Sequence, residues 1–436
     1  MVSVTGASSH SGSRKQRRKV SSVNTSGGTP PRYVEDAAWA ACGAMSLTGD
    51  RGGPPLSPGW SIATVMNRMA DDVAALGGPR VDGAALLGER AAIGRFSRRG
   101  GVSPGGACRL VRAADAWLAV NLARPDDVAL ANAWLDDARL EAGDPWPRLA
   151  SAIAAEPADP LVGSAATLGL AVSRLGETEE RVSWSPTAAT GKREARPLVI
   201  DLSSLWAGPL CANLLGLAGA RVVKVESAER PDGARRGLAA FFDLLHCGHE
   251  CVALAFGTSR GRDALRALLD VADVVIEASR PRALEQLGVD AHEHVERGAV
   301  WVSITAYGRQ AAPHRVGFGD DVGIAAGMHA GTEDAPLFCA DAIADPVAGL
   351  WAARAALGAL RFGGGSLLDV PMAAVARFAR GDERAGERAG ELRDGRWFLD
   401  DIAVAPPRSR PVVGPAASHG WHTRQVMGEI GVARWD

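Results

Sequence analysis

The feature that most constrains the fold of this chain is a regular alternation of apolar strands and helices between residues 198 and 308. The strand candidates read LVIDL, RVVKVE, DVVIEAS and AVWVSITAYG, and the helix candidates read LCANLLGLAG, RDALRALLDVA and ALEQLGV. Short continuous apolar runs are typical of strands that are buried on both faces of a parallel sheet. Their alternation with helices predicts right-handed crossovers, and therefore an α/β fold with a Rossmann-like parallel sheet.

Ligands of such sheets bind beyond the carboxyl ends of the strands, where the connecting loops gather. The loops expected to line one crevice are Ser203–Gly208, Ser227–Asp232, Ala278–Arg282 and Ala306–Gly308. The first of them reads SSLWAGP, which lacks the GxGxxG signature, and the chain contains no GxxxxGK[ST]. A nicotinamide or flavin dehydrogenase and a phosphate-loop enzyme are accordingly disfavoured.

The composition narrows the class of partner. The 436 residues carry 48 Lys and Arg against 50 Asp and Glu, so no bulk positive charge is present to hold nucleic acid. No apolar run reaches the roughly 18 residues of a membrane span, and the first thirty residues lack the apolar core of a secretory signal. Six cysteines in so long a chain are no disulfide framework, which favours a reducing cytoplasm. We expect neither a nucleic-acid partner nor a membrane contact.

A chain of this length suits two or three domains, and its composition changes along the sequence. The Ser-rich N-terminus with its basic cluster predicts a disordered tail, for which a nucleic-acid or lipid contact is the functional alternative. The stretch GACRLVRAADAWLAVNL at 106–122 predicts a hairpin. The expected divisions are a tail (1–34), a smaller α+β module (35–186), a linker (187–196), the Rossmann-like domain (197–385) and a C-terminal return segment (386–436).

The motif HCGHEC at 246–251 invites a metal interpretation. Its spacing is too cramped for a four-ligand zinc knuckle, and no second Cys/His pair lies at a suitable distance, so a turn between two elements is favoured. His292 and His294 are two residues apart on a predicted helix, roughly 200° around its axis, and cannot share a metal ion. We therefore expect no metal site.

Two carboxylates, Asp341 and Asp345, lie in the stretch CADAIADPVAGLWAARAALGAL. Because Asp345 precedes Pro346 and an apolar helix, the pattern predicts an N-cap followed by proline at the first helical position. On one interpretation Asp345 only caps the helix. On the other, free N–H groups and the positive end of the helix dipole keep the carboxylate ionised at neutral pH, as a carboxylate nucleophile requires. The pattern leaves both interpretations open.

A series of segments carries a resemblance to a known family. In order they read VIDLSSLWAGPLCANLLGLAGARVVKVES, CVALAF, DVVIEASRPRALEQLGVD, WVSITAYGR, FGDDVGIAAG, ADAIADPVAGLWAARAALGAL and LLDVPM. Their order and spacing across 197–372 resemble the class III CoA-transferase family of the CaiB/BaiF type. Segments of the first module and the C-terminus resemble other parts of that family out of order. The chain thus resembles a rearranged member, with the small domain ahead of the CoA-binding domain.

The resemblance implies the class III CoA-transferase fold and a covalent mechanism. In the family an Asp at the start of the helix beyond the crevice attacks an acyl-CoA thioester, and CoA then passes by way of an aspartyl-CoA thioester to a carboxylic acid. Asp345 falls on that Asp. The resemblance further implies that CoA is a substrate rather than a permanently bound cofactor, and that the subunits interlock as a homodimer.

The family's CoA contacts also fall on this sequence. Arg280 and Arg282 are the candidates for charge against the CoA phosphates, and most of the others are expected to act through backbone or apolar contacts. The positions that match are Trp206, Ala207, Ser227, Leu254, Ala255, Ala278, Ser279, Arg280, Arg282, Gly319 and Asp320.

The sequence also departs from the family pattern. His249 stands where a basic residue is usual, Ala278 and Ser279 replace a common Asn-Phe pair, Gln286 replaces a basic residue, and the glycine-rich flap of the small domain has no clear match. Two alternatives therefore stay open. One is a racemase of 2-methylacyl-CoA esters, although Phe318 replaces the His that the family's racemases carry there. The other is a non-catalytic protein that binds CoA esters.

Overall fold

The computed structural model describes residues 32–136, 143–182, 196–279 and 281–432. Most of the predicted tail and linker therefore lies outside the described residues. No helix within these ranges combines the length and the apolar character that crossing a bilayer requires. The helices that precede the central sheet are α1 (Arg32–Cys42), α2 (Ile62–Ala75), α3 (Glu89–Gly94), α4 (Asp127–Leu135), α5 (Trp146–Ala154) and α6 (Ala158–Leu168).

The remaining helices lie between and after the strands of that sheet. They are α7 (Ala207–Leu217), α8 (Ala239–His246), α9 (Ser259–Asp270), α10 (Pro281–Gln286), α11 (Ala291–Glu296), α12 (Gly319–Ala325), α13 (Ala344–Arg361), α14 (Met372–Arg380) and α15 (Thr423–Glu429). The strands are β1 (Leu56–Ser57), β2 (Cys108–Arg112), β3 (Trp117–Asn121), β4 (Ala171–Arg174), β5 (Leu198–Asp201), β6 (Arg221–Ser227), β7 (Glu250–Leu254), β8 (Val274–Glu277), β9 (Val300–Thr305), β10 (His329–Thr332), β11 (Ala335–Phe338), β12 (Ser366–Pro371), β13 (Arg388–Ala389), β14 (Glu391–Arg393), β15 (Arg396–Leu399) and β16 (Ile402–Ala403).

The centre of the molecule is a six-stranded sheet in the order β12-β9-β8-β5-β6-β7, and every pairing in it is parallel. Numbered along the chain, this is the doubly wound order of the Rossmann fold, in which the crevice for a ligand opens where the order reverses. That switch point lies between β5 and β8. The predicted α/β fold and its four predicted strands are confirmed, with β7 and β12 closing the two edges.

The segment before the sheet forms two units rather than one module. Residues of α1, α2 and the 3₁₀ turn Ala84–Gly88 share one apolar core with α7, α13 and α14. A separate core joins the antiparallel sheet β2-β3-β4 to α4, α5 and α6. The hairpin predicted at 106–122 is confirmed as β2 and β3. The structure divides the single module expected over 35–186: in its first half, α2 packs on α13 and α14 and shares the apolar core of the large sheet.

The C-terminal return segment runs back across the molecule. Its strand β13 pairs with β1, and Ala405 N–H donates to the Ala40 carbonyl. Further along, α15 covers the edge of the sheet, where Cys251 N–H donates to His422 Nδ1 at 3.0 Å and Ala253 N–H to Thr423 Oγ1 at 3.0 Å. These contacts satisfy the free edge of β7, which would otherwise be open to another chain.

A buried lysine fixes the loop that follows β5. Lys224 lies on β6 with no exposed side chain; its Nζ is 3.0 Å from Asp232 Oδ2 and donates to the Ser203 carbonyl at 2.7 Å. Asp201 Oδ2 lies 3.8 Å from the same nitrogen. Asp232 in turn accepts from the N–H of Leu205, a residue with a left-handed φ of 70°. The charge of Lys224 thus holds the first crevice loop in a strained conformation.

We expect Lys224→Met to destabilise the protein by about 3–5 kcal/mol, because two buried carboxylates lose their counter-charge. The free energy of unfolding in urea measures the effect. Arg393→Met, at a fully exposed ion pair on β14, is the control and should change it little. A Lys224→Met protein as stable as the wild type would contradict a structural role for this ion cluster.

Candidate active site

The turn that precedes α13 is strained. Ala340 and Ala342 have φ angles of 52° and 43°, in the left-handed region that residues with a Cβ rarely adopt, and Asp341 lies between them. Ala340 N–H donates to Thr48 Oγ1 at 3.1 Å, and Ala342 N–H donates to Asp320 Oδ1 at 2.8 Å. Hydrogen bonds from two distant parts of the chain therefore stabilise this conformation.

Asp341 is held by an arginine from α3. Arg90 donates from Nε to Asp341 Oδ2 at 2.8 Å and from Nη2 to Oδ1 at 2.7 Å, which is a bidentate pair. The Asp341 side chain is fully buried, whereas that of Arg90 is 27% exposed. The guanidinium also lies over the rings of Trp206 and Phe96, at 5.3 and 5.9 Å from their centroids. Arg90 thus joins the turn before α13 to the loop after β5.

Asp345 is the second residue of α13, two positions beyond the N-cap position that the sequence predicts for it. The helix begins at Ala344 and its N-cap is Ile343, because Asp345 N–H already donates to the Ala342 carbonyl at 2.9 Å. The interpretation of Asp345 as the N-cap is therefore wrong. Its half-buried carboxylate instead accepts a hydrogen bond from the N–H of Gly319, at the start of α12. The N–H group that donates to Asp345 therefore belongs to the neighbouring helix α12 and not to α13.

Asp345 titrates near neutrality, which corrects the expectation of a fully ionised carboxylate at pH 7. Burial raises its pKa to about 7; the positive charge of Arg90 and the Gly319 hydrogen bond work in the opposite direction, and the negative charges of Asp320 and Asp341 add to the rise. Around pH 7 the group is therefore divided between acid and carboxylate, and the carboxylate predominates above that pH.

Two further carboxylates on α12 are buried beside this site. Asp320 accepts from Ser103 Oγ as well as from Ala342 N–H, and burial raises its pKa to about 6. Asp321 accepts from Asn121 Nδ2 at 2.8 Å, and burial raises its pKa to about 7. The Asp320 carboxylate points into the protein. Only the backbone of Asp320 is therefore placed to make the CoA contact predicted from the sequence.

The residues predicted to contact CoA follow strands that are neighbours in the sheet. Trp206 and Ala207 come after β5 and are buried, while Ser227 and Leu254 end β6 and β7. After β8, Ala278 is exposed and Ser279 half-buried, Ala255 after β7 is half-buried, and Arg282 on α10 is exposed. The tertiary structure thus places them along one edge of the sheet, as predicted. Arg280 lies outside the described residues.

Helix packing places Asp345 beside this edge. Gly349, one turn further along α13, lies so close to α7 that a Cβ there would be 2.6 Å from the Ala207 carbonyl. Residues four apart share a helix face, so Asp345 is on the side of α13 that meets the start of α7. The indole N–H of Trp206 has no hydrogen-bond partner among the described residues. The crevice loop and the Asp345 carboxylate therefore lie on the same side of α13.

The site includes residues that the sequence analysis did not identify. A glycine-rich loop at 100–106 brings Ser103 to Asp320, and a Cβ on Gly105 would be 3.0 Å from Arg90 Nη2. The sequence analysis found no clear match for the family's glycine-rich flap, and it did not single out this stretch, GGVSPGG, as part of the site. Its glycine content was the available signal, whereas nothing in the local sequence distinguishes Arg90 from other arginines.

The HCGHEC motif forms the end of α8 and the turn into β7, as predicted. Its two histidines are in the core, where burial lowers the pKa of His246 well below its ordinary value and that of His249 to about 4. Within the described ranges no group of three or more His, Cys, Asp or Glu side chains is arranged to hold a metal ion.

Part of this chain is similar to known proteins. Residues 197–382 match the family model of CoA-transferase family III. The chain is 29% identical over 203 residues to a succinyl-CoA–D-citramalate CoA-transferase of Chloroflexus aurantiacus, covering 42% of this chain and 50% of that protein. It is 32% identical over 188 residues to a probable fatty acyl-CoA transferase of Mycobacterium tuberculosis, covering 38% and 47%.

Among solved structures, a CAIB/BAIF family protein from Brucella suis is similar, with 27% identity and a TM-score of 0.39 over 44% of this chain and 55% of that one. The match to CoA-transferase family III over residues 197–382 confirms the resemblance that the sequence of this segment suggested, and the rearranged domain order stays a prediction. The chain spans about half the length of the relatives that it matches. Arg90 and Ser103 lie outside the matching segment.

We expect Gly319→Ala to reduce any reaction of Asp345 about a hundredfold, since a misplacement of about 1 Å has effects of that size. An added Cβ would be 2.4 Å from Asp345 Oδ2 and 2.3 Å from the Ala342 carbonyl, so the turn would have to move. Gly163→Ala is the control, because a Cβ there meets nothing within 4 Å. Labelling of Asp345 by an acyl-CoA is the measurement, and equal labelling of the two variants would contradict the prediction.

Proposed function

We propose that this protein is a CoA-transferase, which moves CoA between an acyl-CoA thioester and a carboxylic acid with Asp345 as the nucleophile. The observation that carries the proposal is the position of Asp345: half-buried, bonded to the N–H of Gly319, and beside the ligand edge of a Rossmann-type sheet. The family match of the segment 197–382 and the names of the similar transferases support the same reaction.

The proposed reaction divides one exchange into covalent steps. The Asp345 carboxylate attacks the thioester carbonyl carbon and expels CoA as the thiolate, which leaves a mixed aspartyl anhydride. The thiolate then attacks the aspartyl carbonyl, which releases the first acid and forms an aspartyl-CoA thioester. An incoming carboxylate displaces CoA from that thioester, and the thiolate attacks the acyl carbon of the new anhydride, so that the product acyl-CoA leaves and Asp345 is free again.

The chain's own groups support these steps in distinct ways. The N–H of Gly319 orients the Asp345 carboxylate, and Arg90 supplies positive charge nearby. We propose that the residues beyond β5, β6, β7 and β8, together with Gly319 and Asp320, make the backbone and apolar contacts to CoA. Arg280 and Arg282 would contact its phosphates. The indole N–H of Trp206 is buried and has no hydrogen-bond partner among the described residues, and we assign it as a further donor for a ligand carbonyl. CoA is then a substrate that leaves in each cycle.

A racemase that acts on 2-methylacyl-CoA is the second candidate, because Asp320 and Asp345 both have a pKa near neutrality and acid–base catalysis uses such groups. Against it, the Asp320 carboxylate is occupied by Ser103 and Ala342 N–H, and Phe318 stands where the family's racemases carry His. A protein that binds CoA esters without turnover is the third candidate, and the departures from the family's CoA-binding residues favour it.

Incubation with succinyl-CoA and hydroxylamine, followed by mass spectrometry, tests the proposal. We expect a covalent modification at Asp345 in the wild type and none in Asp345→Asn, with Asp72→Asn on α2 as the matched carboxylate control. Because the carboxylate is the reactive form and the pKa is about 7, labelling should rise about tenfold per pH unit below pH 7 and level off above it.

The outcomes separate the three candidates. Deuterium wash-in at the α-carbon of 2-methylbutanoyl-CoA without an adduct would favour the racemase, and binding of CoA esters without either event would favour the non-catalytic protein. Turnover in Asp345→Asn equal to that of the wild type would falsify the assignment of the nucleophile.

We further propose that the protein is a cytoplasmic homodimer with its small domain placed ahead of the CoA-binding domain. All six cysteines are free thiols, which fits a reducing compartment, and Trp421 and Val413 in the return segment are 75% and 82% exposed, as apolar surface that a second copy can cover. Light scattering should give twice the mass of the chain, and Trp421→Ser should favour the monomer. A fully active monomeric wild type would refute the dimer.

A further inference from the structure

We propose that Arg90 is the positioning residue of this site: it holds the strained turn before α13 through Asp341 and supplies the positive charge that favours the Asp345 carboxylate. The inference rests on the proposed function only in taking the Asp345 carboxylate as the nucleophile. Arg90 does not contact Asp345 by a hydrogen bond, so it acts through Asp341 and through its charge.

The geometry of the pair is unusually specific. Arg90 makes two short, parallel hydrogen bonds to a carboxylate that is itself fully buried, an arrangement that lysine cannot reproduce. The two residues are 251 positions apart along the chain. Because Ala340 and Ala342 flank Asp341 with left-handed φ angles, loss of the pair would release strain in the segment that leads into Asp345.

Charge gives Arg90 a second role. The charged groups that face Asp345 in the described residues are Arg90 from α3, Asp320 from α12 and Asp341 from the preceding turn. The positive charge of Arg90 therefore interacts with three carboxylates within a buried region. Burial works against the Arg90 cation, but Asp341, Asp320 and Asp345 outweigh it and raise the pKa of the guanidinium, so the charge is permanent.

Helix α3 is itself anchored on its other side. Glu89, which precedes Arg90, is 1% exposed and accepts from Arg410 N–H at 2.9 Å, Nε at 2.7 Å and Nη2 at 3.0 Å. Arg410 belongs to the C-terminal return segment and also donates to Asn213 Oδ1 on α7 at 2.7 Å. Two adjacent residues of a six-residue helix thus connect the C-terminal segment to the turn that carries Asp341.

A carbodiimide with a labelled amine tests the inference without any acyl-CoA, because carbodiimides activate only protonated carboxyl groups. The labelled fraction of the Asp345 peptide, followed by mass spectrometry from pH 5 to 9, gives the midpoint of its titration. We expect Arg90→Gln to raise that midpoint by about one unit or more, since a neighbouring cation lowers a carboxyl pKa by 1–3 units. Arg90→Lys, which keeps the charge, should stay within about half a unit of the wild type.

Arg354→Gln is the matched control. Arg354 pairs with Asp72 between α13 and α2, with a side chain 22% exposed, and this substitution should leave the Asp345 midpoint unchanged. Asp341→Asn is the second arm, which removes a like charge and leaves Arg90 without its partner, and it should lower the midpoint. This arm decides the matter if Arg90→Gln does not fold, as judged by circular dichroism.

An unchanged midpoint in folded Arg90→Gln, or in Asp341→Asn when the first variant is unfolded, overturns the inference. A midpoint that moves equally in Arg354→Gln would also overturn it, because the effect would then be general. If the midpoints move as expected but the wild type forms no adduct with succinyl-CoA, the transferase proposal fails while the role of Arg90 stands.

Discussion

The structure of the site depends on the crowding of three carboxylates around one guanidinium. Asp320, Asp341 and Asp345 are brought together by α12, α13 and the turn that precedes α13, and burial disfavours the charged form of Asp320 and Asp345. Only one of them, Asp341, is paired with Arg90; Asp320 is satisfied by a hydroxyl and a backbone N–H. Asp345 is left with one N–H bond and partial exposure, which is the environment that suits a reactive carboxylate.

The strained turn before α13 determines the position of Asp345. A turn with two left-handed alanines is unfavourable by itself, and it persists because Thr48, Asp320 and Arg90 each bind a different part of it. These partners come from three separate segments of the chain. Asp345 is therefore rigidly placed at the start of a helix that packs on the first crevice loop, and the proposed covalent catalysis needs pre-organisation of this kind.

The parts of the chain outside residues 197–382 contribute side chains around Asp345 and do not only form a separate unit. The first helices share the apolar core of the sheet, and α3 delivers Arg90. The smaller α+β unit is preceded by the glycine-rich loop of Ser103, and the return segment anchors α3 through Arg410 and closes the edge at β7. The proposed reordering of segments along the chain is compatible with such a centre, because the contacts that matter are between elements distant in sequence.

Features that depend on residues close together in the sequence could be predicted from it, whereas features that depend on distant residues could not. The apolar runs of β5, β6, β8 and β9 and the glycine and proline signals around them are local, so they determined the parallel sheet and the position of its crevice. The local pattern around Asp345 left its role open, and the proposed role came from the family resemblance. Chain order and alternation were sufficient there, because a parallel sheet buries both faces. The hairpin of β2 and β3 was likewise local.

Tertiary structure alone decided the rest. The pairing of Arg90 with Asp341, the division of the first module and the start of α13 at Ala344 depend on contacts across more than two hundred residues or on a backbone bond that no side-chain pattern specifies. The same holds for the pKa of Asp345, which is determined by burial and by the charges that the fold places around it. The sequence by itself identified the carboxylate, and only the assembled fold determined which N–H it meets, which cation it faces and at which pH it is ionised.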